Sequence, residues 1–277
     1  MGAVNLGISD NSNEKIKVNR STSENWDDLY THAFLPLNKQ VPEMKKKIDD
    51  LFEINPTLLR RFYPHLDAYL DNCKERSKGL LEVGCGTGIY SYVISKFVDP
   101  SYKLYLLDHS EKALELAANL FRGRENTFFI KADIFEKPLS SGPYDAVITG
   151  GLIEHFSLEV QADLIAYLKT LSTIQIHQYP VSNGVYWLQR LIISLFNNFR
   201  WPFGYEVPLT SSRIEILFPK VYKFYRAGLI DRILFRSLDS YFLSKFYNSL
   251  SRKKTRNKPL FYFDETLVVV ESPLVRK

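Results

Sequence analysis

The sequence predicts an α/β fold, a parallel sheet with helices on both faces. Three observations carry that reading. Residues 79–90 read as a short buried strand, a glycine-rich turn and the start of a helix. From there to residue 177, short apolar runs alternate with segments of helical period. Two of those runs close on Asp108 and on Gly150-Gly151, small or acidic residues at the ends of expected strands.

The elements follow in order. Residues 1 to about 20 are polar and irregular, as in a mobile tail. A short helix through Trp26, Leu29, Tyr30 and Phe34 is expected, then one over Lys45–Phe52 and one over Pro56–Leu70 kinked at Pro64. Strands are expected at Gly79–Val83, Lys103–Leu107, Thr127–Lys131, Tyr144–Thr149 and Thr173–His177. The helix over Leu158–Leu171 turns Val160, Leu164, Tyr167, Leu168 and Leu171 inward. After Pro180 the pattern changes. Gly184–Phe199 reads as an amphipathic helix whose stripe (Val185, Leu188, Ile192, Leu195, Phe199, widened by Trp187, Leu191 and Phe196) packs on the sheet as a lid or insertion. The stripe is also compatible with membrane-surface contact or dimerisation. A helix over Ser211–Ala227 broken at Pro219, a strand over Leu229–Phe235, an aromatic helix over Leu238–Leu250 and a last strand over Phe261–Glu271 complete the chain.

The glycine stretch carries the chemistry. Gly84, Gly86 and Gly88 alternate, and a glycine turn lets backbone and ligand approach closely. A triplet alone also fits a structural turn. The spacing is G-x-G-x-G rather than the G-x-G-x-x-G of dinucleotide sites, and Glu82 stands two residues before it. An acid there opposes a pyrophosphate and attracts an ammonium group. Leu81-Glu82-Val83-Gly84-Cys85-Gly86-Thr87-Gly88 resembles the first motif of class I S-adenosylmethionine-dependent methyltransferases.

That resemblance implies a Rossmann-like seven-stranded sheet, mostly parallel with an antiparallel last strand. It adds an N-terminal helical cap (1–78) to a core (79–277) with helical insertions around 182–210 and 237–258. It implies S-adenosyl-L-methionine as cofactor, its methionine end on Glu82, Gly84, Cys85, Gly86 and Gly88. Asp108, 24 residues after Gly84, matches the acid that accepts the ribose hydroxyls, although it could instead cap the next helix. His109 follows as a candidate to line the adenosine. Asp133 and Ile134 match the acid on the adenine amine and the apolar cover of the ring, or a turn aspartate. Gly150 lets carbonyls face the ammonium group. Glu154-His155 resembles the pair beside the substrate mouth in the ubiquinone-biosynthetic and cyclopropane-fatty-acid branches, so His155 is the candidate base and Glu154 its neighbour, or both support the loop. Tyr30 resembles an aromatic brought over the cofactor, or packs in the core. Lys169-Thr170-Leu171-Ser172-Thr173 lacks the family's basic-Pro-Gly-Gly turn, which leaves the edges of the fifth strand open.

Composition narrows the function. With 277 residues the chain holds one large α/β domain with additions or two small ones. A net charge of +5, much of it in Lys45–Lys47 and 252–258, is a mild excess that fits solvated faces. No Asn-Pro-Pro-Tyr-like run follows the fourth strand, and no basic and aromatic stripe lies near the expected mouth, so nucleic acid is not the expected partner. Cys73 and Cys85 are placed neither for a disulfide nor for a zinc cluster. No signal or membrane-spanning segment is read, and a reduced, cytoplasmic protein is expected, monomer or homodimer. The expected partner is a small-molecule methyl acceptor, apolar or aromatic, and no metal is expected. The rivals are a non-catalytic cofactor-binding protein of the same fold and a NAD-dependent oxidoreductase.

Overall fold

The computed structural model describes residues 37–73, 77–139, 144–196, 206–218, 223–228, 234–251 and 264–271. The N-terminal helices are α1 (Leu37–Ile54), α2 (Thr57–Phe62) and α3 (Pro64–Asn72). Then come β1 (Leu80–Val83), α4 (Ile89–Ser95), β2 (Leu104–Asp108), α5 (Glu111–Leu120), β3 (Thr127–Lys131), β4 (Ala146–Gly150), α6 (Leu158–Leu171) and β5 (Gln175–Pro180). The remaining elements are α7 (Gly184–Phe196), α8 (Ser211–Leu217), β6 (Lys223–Gly228), α9 (Ser240–Ser251) and β7 (Asp264–Glu271).

The strands order as β3-β2-β1-β4-β5-β7-β6. β1 to β5 are parallel neighbours, and β7 runs antiparallel between β5 and β6. β1 is buried along its whole length, as a central strand covered on both faces must be. Its side chains alternate between two cores. Leu80 joins Leu104, Ile148 and the N-terminal helices on one face, and Leu81 and Val83 join Leu107, Val147 and α6 on the other.

Several boundaries differ from expectation, each for a physical reason. α1 runs through Pro42. Val41, Ile48 and Leu51 are buried, and roughly 1.5–3 kcal/mol for each side chain outweighs the proline penalty of about 3 kcal/mol. Pro64 does not kink one helix but separates two. Tyr63 leaves helical geometry (φ −121°, ψ 84°), and Pro64 opens α3 at its first turn. β5 starts two residues later than expected and reaches Pro180. On α6, Gln161 and Ile165 take the buried places expected of Val160 and Tyr167, and Gln161 Nε2 donates to the Phe156 carbonyl at 2.9 Å.

The larger corrections lie after Pro180. The helix expected over Ser211–Ala227 stops at Leu217, and the strand expected over Leu229–Phe235 lies instead at Lys223–Gly228. Pro219 disfavours helix in the residue before it, and Phe224 and Tyr225 favour a pleated surface. Phe235 sits in a helical turn and is buried against the N-terminal helices. α7 forms and touches β7, and of its expected stripe Trp187, Leu188, Leu191, Ile192 and Leu195 are exposed rather than packed inward. The inward face includes Tyr186, which is buried, donates its backbone N–H to Asn183 Oδ1 and accepts from Arg190 through its hydroxyl. Phe199 and the side chains of Val185 and Phe196 lie outside the described residues.

Candidate active site

Strand order reverses between β1 and β4, and in open parallel sheets the crevice at such a reversal, at the carboxyl ends of the strands, is where ligands bind. The glycine turn leaves β1 there and Gly150-Gly151 leaves β4 beside it. Gly84, Gly86 and Gly88 hold φ of 62°, 53° and 72°, left-handed values that side chains rarely adopt. Gly150 needs its missing side chain for another reason. A Cβ there would lie 2.0 Å from Cε2 of Tyr90. The Tyr90 ring covers the end of β4 and meets the His65 ring edge-on at 3.9 Å between centroids.

The acids of the site are buried. Glu82 accepts from the Ser91 N–H at 3.0 Å, and burial lifts its carboxyl to about 7. It therefore ties β1 to the first turn of α4. Asp108 accepts from the Gly86 N–H at 2.8 Å and from the Ser110 N–H at 2.9 Å. Burial pushes it above the usual carboxylate range against the pull of those two bonds. The capping role considered for Asp108 belongs to Ser110, whose Oγ accepts from the Ala113 N–H at 3.0 Å. His109 is half exposed, with Nδ1 3.5 Å from Asp108 Oδ1. Cys85 is buried outside any disulfide, its Sγ donates to the Gly86 carbonyl at 3.7 Å, and burial pushes its thiol up.

Beyond β3, Asp133 accepts from the Phe135 N–H at 2.9 Å, the turn geometry weighed for it. Ile134 is buried among Leu81, Val83, Leu107 and Ile153. Beyond β4, Glu154 and His155 lie in a short 3-10 turn and both are buried. The Glu154 carbonyl accepts from the Val207 N–H at 2.7 Å, while its Oε2 is buried with no hydrogen-bond partner. Burial first, and Glu206 second, lift this carboxyl to about 8, so it is neutral at pH 7. Its Oε1 lies 3.9 Å from where a Gly151 Cβ would be. Tyr30 lies outside the described residues.

A cavity of about 130 Å3 opens beside Tyr90, between the N-terminal helices and the sheet. Tyr63, His65, Gln178, Phe235 and Arg236 line it with Tyr90. Gln178 is the register partner of Gly150 across β4 and β5, so the cavity begins one side chain from the glycine crevice. None of Gln178, His65 and Arg236 stands in a sequence motif. Among the described residues, no group of His, Cys, Asp and Glu could hold a metal ion. No described helix is long and apolar enough to cross a membrane.

Residues 80–172 match a family described as a methyltransferase domain. Over 94 residues, 34% of this chain, the sequence is 30% identical to demethylmenaquinone methyltransferase of Staphylococcus aureus (strain JH9), and the match spans 37% of that relative's length. Magnesium protoporphyrin IX methyltransferase from Synechocystis PCC 6803, solved with bound SAH, superposes with a TM-score of 0.51 at 15% identity, covering 95% of this chain and 100% of that one. A possible exported protein from Bordetella parapertussis superposes with a TM-score of 0.52 at 12% identity, over 76% of this chain and 67% of that one. These structural likenesses establish a shared Rossmann-like α/β fold.

Proposed function

We propose that this chain, whose residues 80–172 match a methyltransferase-domain family, is a class I S-adenosylmethionine-dependent enzyme that transfers a methyl group from S-adenosylmethionine to an O, N or C atom of a small apolar or aromatic molecule. The observation that carries the reading is the pairing of the left-handed glycine turn after β1 with Gly150-Gly151 after β4, at the reversal of strand order. The buried, unpartnered Oε2 of Glu154 fits the same ligand, because a buried polar atom of this kind calls for a partner.

The residues divide the work. Gly84, Cys85, Gly86 and Gly88 hold the methionine end with main-chain groups, and Glu82 keeps that turn attached to α4. Asp108 keeps the turn closed through Gly86 and has lone pairs left for the ribose hydroxyls, with His109 beside it at the adenosine. Asp133 takes the adenine amine, and Ile134 offers the ring what its packing leaves accessible. Gly150 lets carbonyls approach the ammonium group. Glu154, neutral until a cation or donor arrives, orients that end, and His155 takes a proton from the acceptor where one must leave. Tyr30 is proposed as an aromatic cover from the chain's N-terminal part. When bound, S-adenosylmethionine supplies a methyl on a sulfonium that an in-line nucleophile can take. The protein's contribution is to hold the two in line and to exclude water.

The family reading also makes β7 the antiparallel last strand of a seven-stranded core, with 1–78 as the cap and 182–210 and 237–258 as insertions. The pairing of β7 with β5 and β6 supports it. An aromatic cavity rather than a basic groove favours a small molecule over nucleic acid. Two buried cysteines not joined in a disulfide fit a reducing, cytoplasmic setting. Calorimetric titration with S-adenosylmethionine, S-adenosylhomocysteine and NAD tests the reading. Binding of the first two without the third is expected, and binding of NAD alone would overturn it.

A further inference from the structure

We infer that α7 is a docking surface for an anionic lipid bilayer, on which it lies flat with Trp187, Leu188, Leu191, Ile192 and Leu195 toward the acyl chains. The inference goes beyond the methyl-transfer reading and does not depend on it.

The face comes first. Those five residues are between 45% and 58% exposed. At 3.6 residues per turn they fall within one arc of roughly 140°. Tyr186, on the other side, is buried, and α7 touches β7. The helix is therefore held by its back and turns its apolar face outward. An ordinary surface helix does the reverse and packs that stripe on the core.

Size separates the candidate occupants. The five residues expose on the order of 500 Å2, where a soluble monomer rarely leaves an apolar patch above a few hundred. A stable dimer takes about 800 Å2 from each partner, and this patch is short of that. Length fits a lipid surface too. Gly184–Phe196 extends about 20 Å at 1.5 Å per residue, against a hydrocarbon core about 30 Å thick. A helix of that length lies in the interface and does not cross it.

Charge chooses the lipid. From residue 164 to residue 205 the chain has no Asp or Glu, and it carries Lys169, Arg190 and Arg200. Arg190 borders the apolar arc. Its Nη1 donates to the Tyr186 hydroxyl at 2.8 Å, and its guanidinium stands over the Trp187 ring at 5.7 Å. Those contacts leave its charge in place, and attraction to an anionic surface acts through space without a free donor. The Trp187 ring beside it is of the kind that settles at headgroup level. The next acid along the chain, Glu206, lies near the buried Tyr186. α7 begins four residues after Pro180, which closes β5 at the carboxyl end of the parallel strands. Docking through α7 therefore brings the crevice side of the sheet toward the bilayer.

The test is co-sedimentation of the full chain with vesicles of phosphatidylcholine alone and of phosphatidylcholine mixed with phosphatidylglycerol, in low and in high salt. Binding to the anionic vesicles in low salt is expected to be at least about fivefold tighter than to the neutral ones, the scale of one basic side chain near such a surface, and to weaken in high salt. Leu188→Asn combined with Leu191→Asn, both at exposed positions, should weaken it at least about tenfold with the melting temperature unchanged. Should that pair disturb the fold, Trp187→Phe takes its place. Bilayers with brominated acyl chains should then quench the tryptophan emission of the wild type more than that of Trp187→Phe. Absence of binding to the anionic vesicles, equal binding to both compositions, binding untouched by the leucine substitutions, or quenching undiminished in Trp187→Phe would overturn the inference. So would a wild-type dimer in sedimentation velocity that the leucine substitutions dissociate, since a second copy would then cover the face. None of these readouts involves the methyl donor, so the methyltransferase reading stands or falls separately.

Discussion

The two ends of the central strands use carboxylates in opposite ways. At the entry end, Asp145 Oδ2 accepts from the Lys78 N–H at 2.9 Å, the Gly79 N–H at 3.0 Å and the Tyr102 hydroxyl at 2.9 Å. One oxygen thus joins the start of β1, the start of β4 and the turn before β2. At the exit end, Glu82, Asp108 and Glu154 are all buried, all raised by burial, and Glu154 keeps an oxygen with no partner. One carboxylate oxygen gathers three donors at the entry end, while at the exit end an oxygen of Glu154 has none. Stability and ligand affinity should therefore respond to different carboxylates.

The strongest test of that division is Gly150→Val. The added side chain meets Tyr90, so S-adenosylmethionine affinity is expected to fall more than about 100-fold, with about 1–3 kcal/mol lost in stability from overpacking. Calorimetry and urea unfolding read the two effects. Tyr90→Ala in the same chain should recover the stability if the ring is the obstacle. Asp145→Ala comes next. It frees three donors at the entry end and should cost about 2–3 kcal/mol in urea unfolding while leaving S-adenosylmethionine affinity within about twofold. An affinity loss as large as the stability loss would erase the contrast between the ends.

Asp108→Asn is expected to weaken S-adenosylmethionine about tenfold by calorimetry, the scale of one charge-assisted bond. Unchanged affinity would leave Asp108 a structural latch on Gly86. The smallest effect is the pH dependence of Glu154. Its folded pKa, about 8, lies above its ordinary value, so the folded state binds the extra proton. That contribution is present in full below the ordinary value near 4.5 and is lost as pH rises toward about 8. Glu154→Gln removes the titration, and its melting temperature should fall less between pH 5 and 8 than the wild type's, by at least about 2 °C. Parallel melting curves would place the charge elsewhere.

What could be read in advance follows the range of the forces involved. β1, β2, β3 and β4 lie within two residues of their expected starts, because each is a short apolar run closed by a turn or an acid whose meaning is local. The glycine turn and Asp108 were legible for the same reason, and so was the neighbourhood of Gly150. β6 was not. Its place depends on pairing with β7 some forty residues later, and nothing within Lys223–Gly228 announces that partner. The outward turn of the α7 stripe was equally hidden, since periodicity shows that a helix has an apolar face and not what that face meets. His65 and Arg236 belong to the cavity because α3, β5 and the Phe235 turn converge on Tyr90, a meeting of segments 170 residues apart. Lone residues at such spacing carry no pattern.

The way that cavity is assembled has a corollary. Apart from Ile89 and Tyr90, its lining comes from outside the stretch that matches the methyltransferase domain. On the reading proposed above, the glycine cradle lies inside that stretch while most of the lining of the neighbouring cavity lies outside it. Substitutions at Tyr63, Gln178 or Arg236 would therefore reshape the cavity while leaving that cradle as it is.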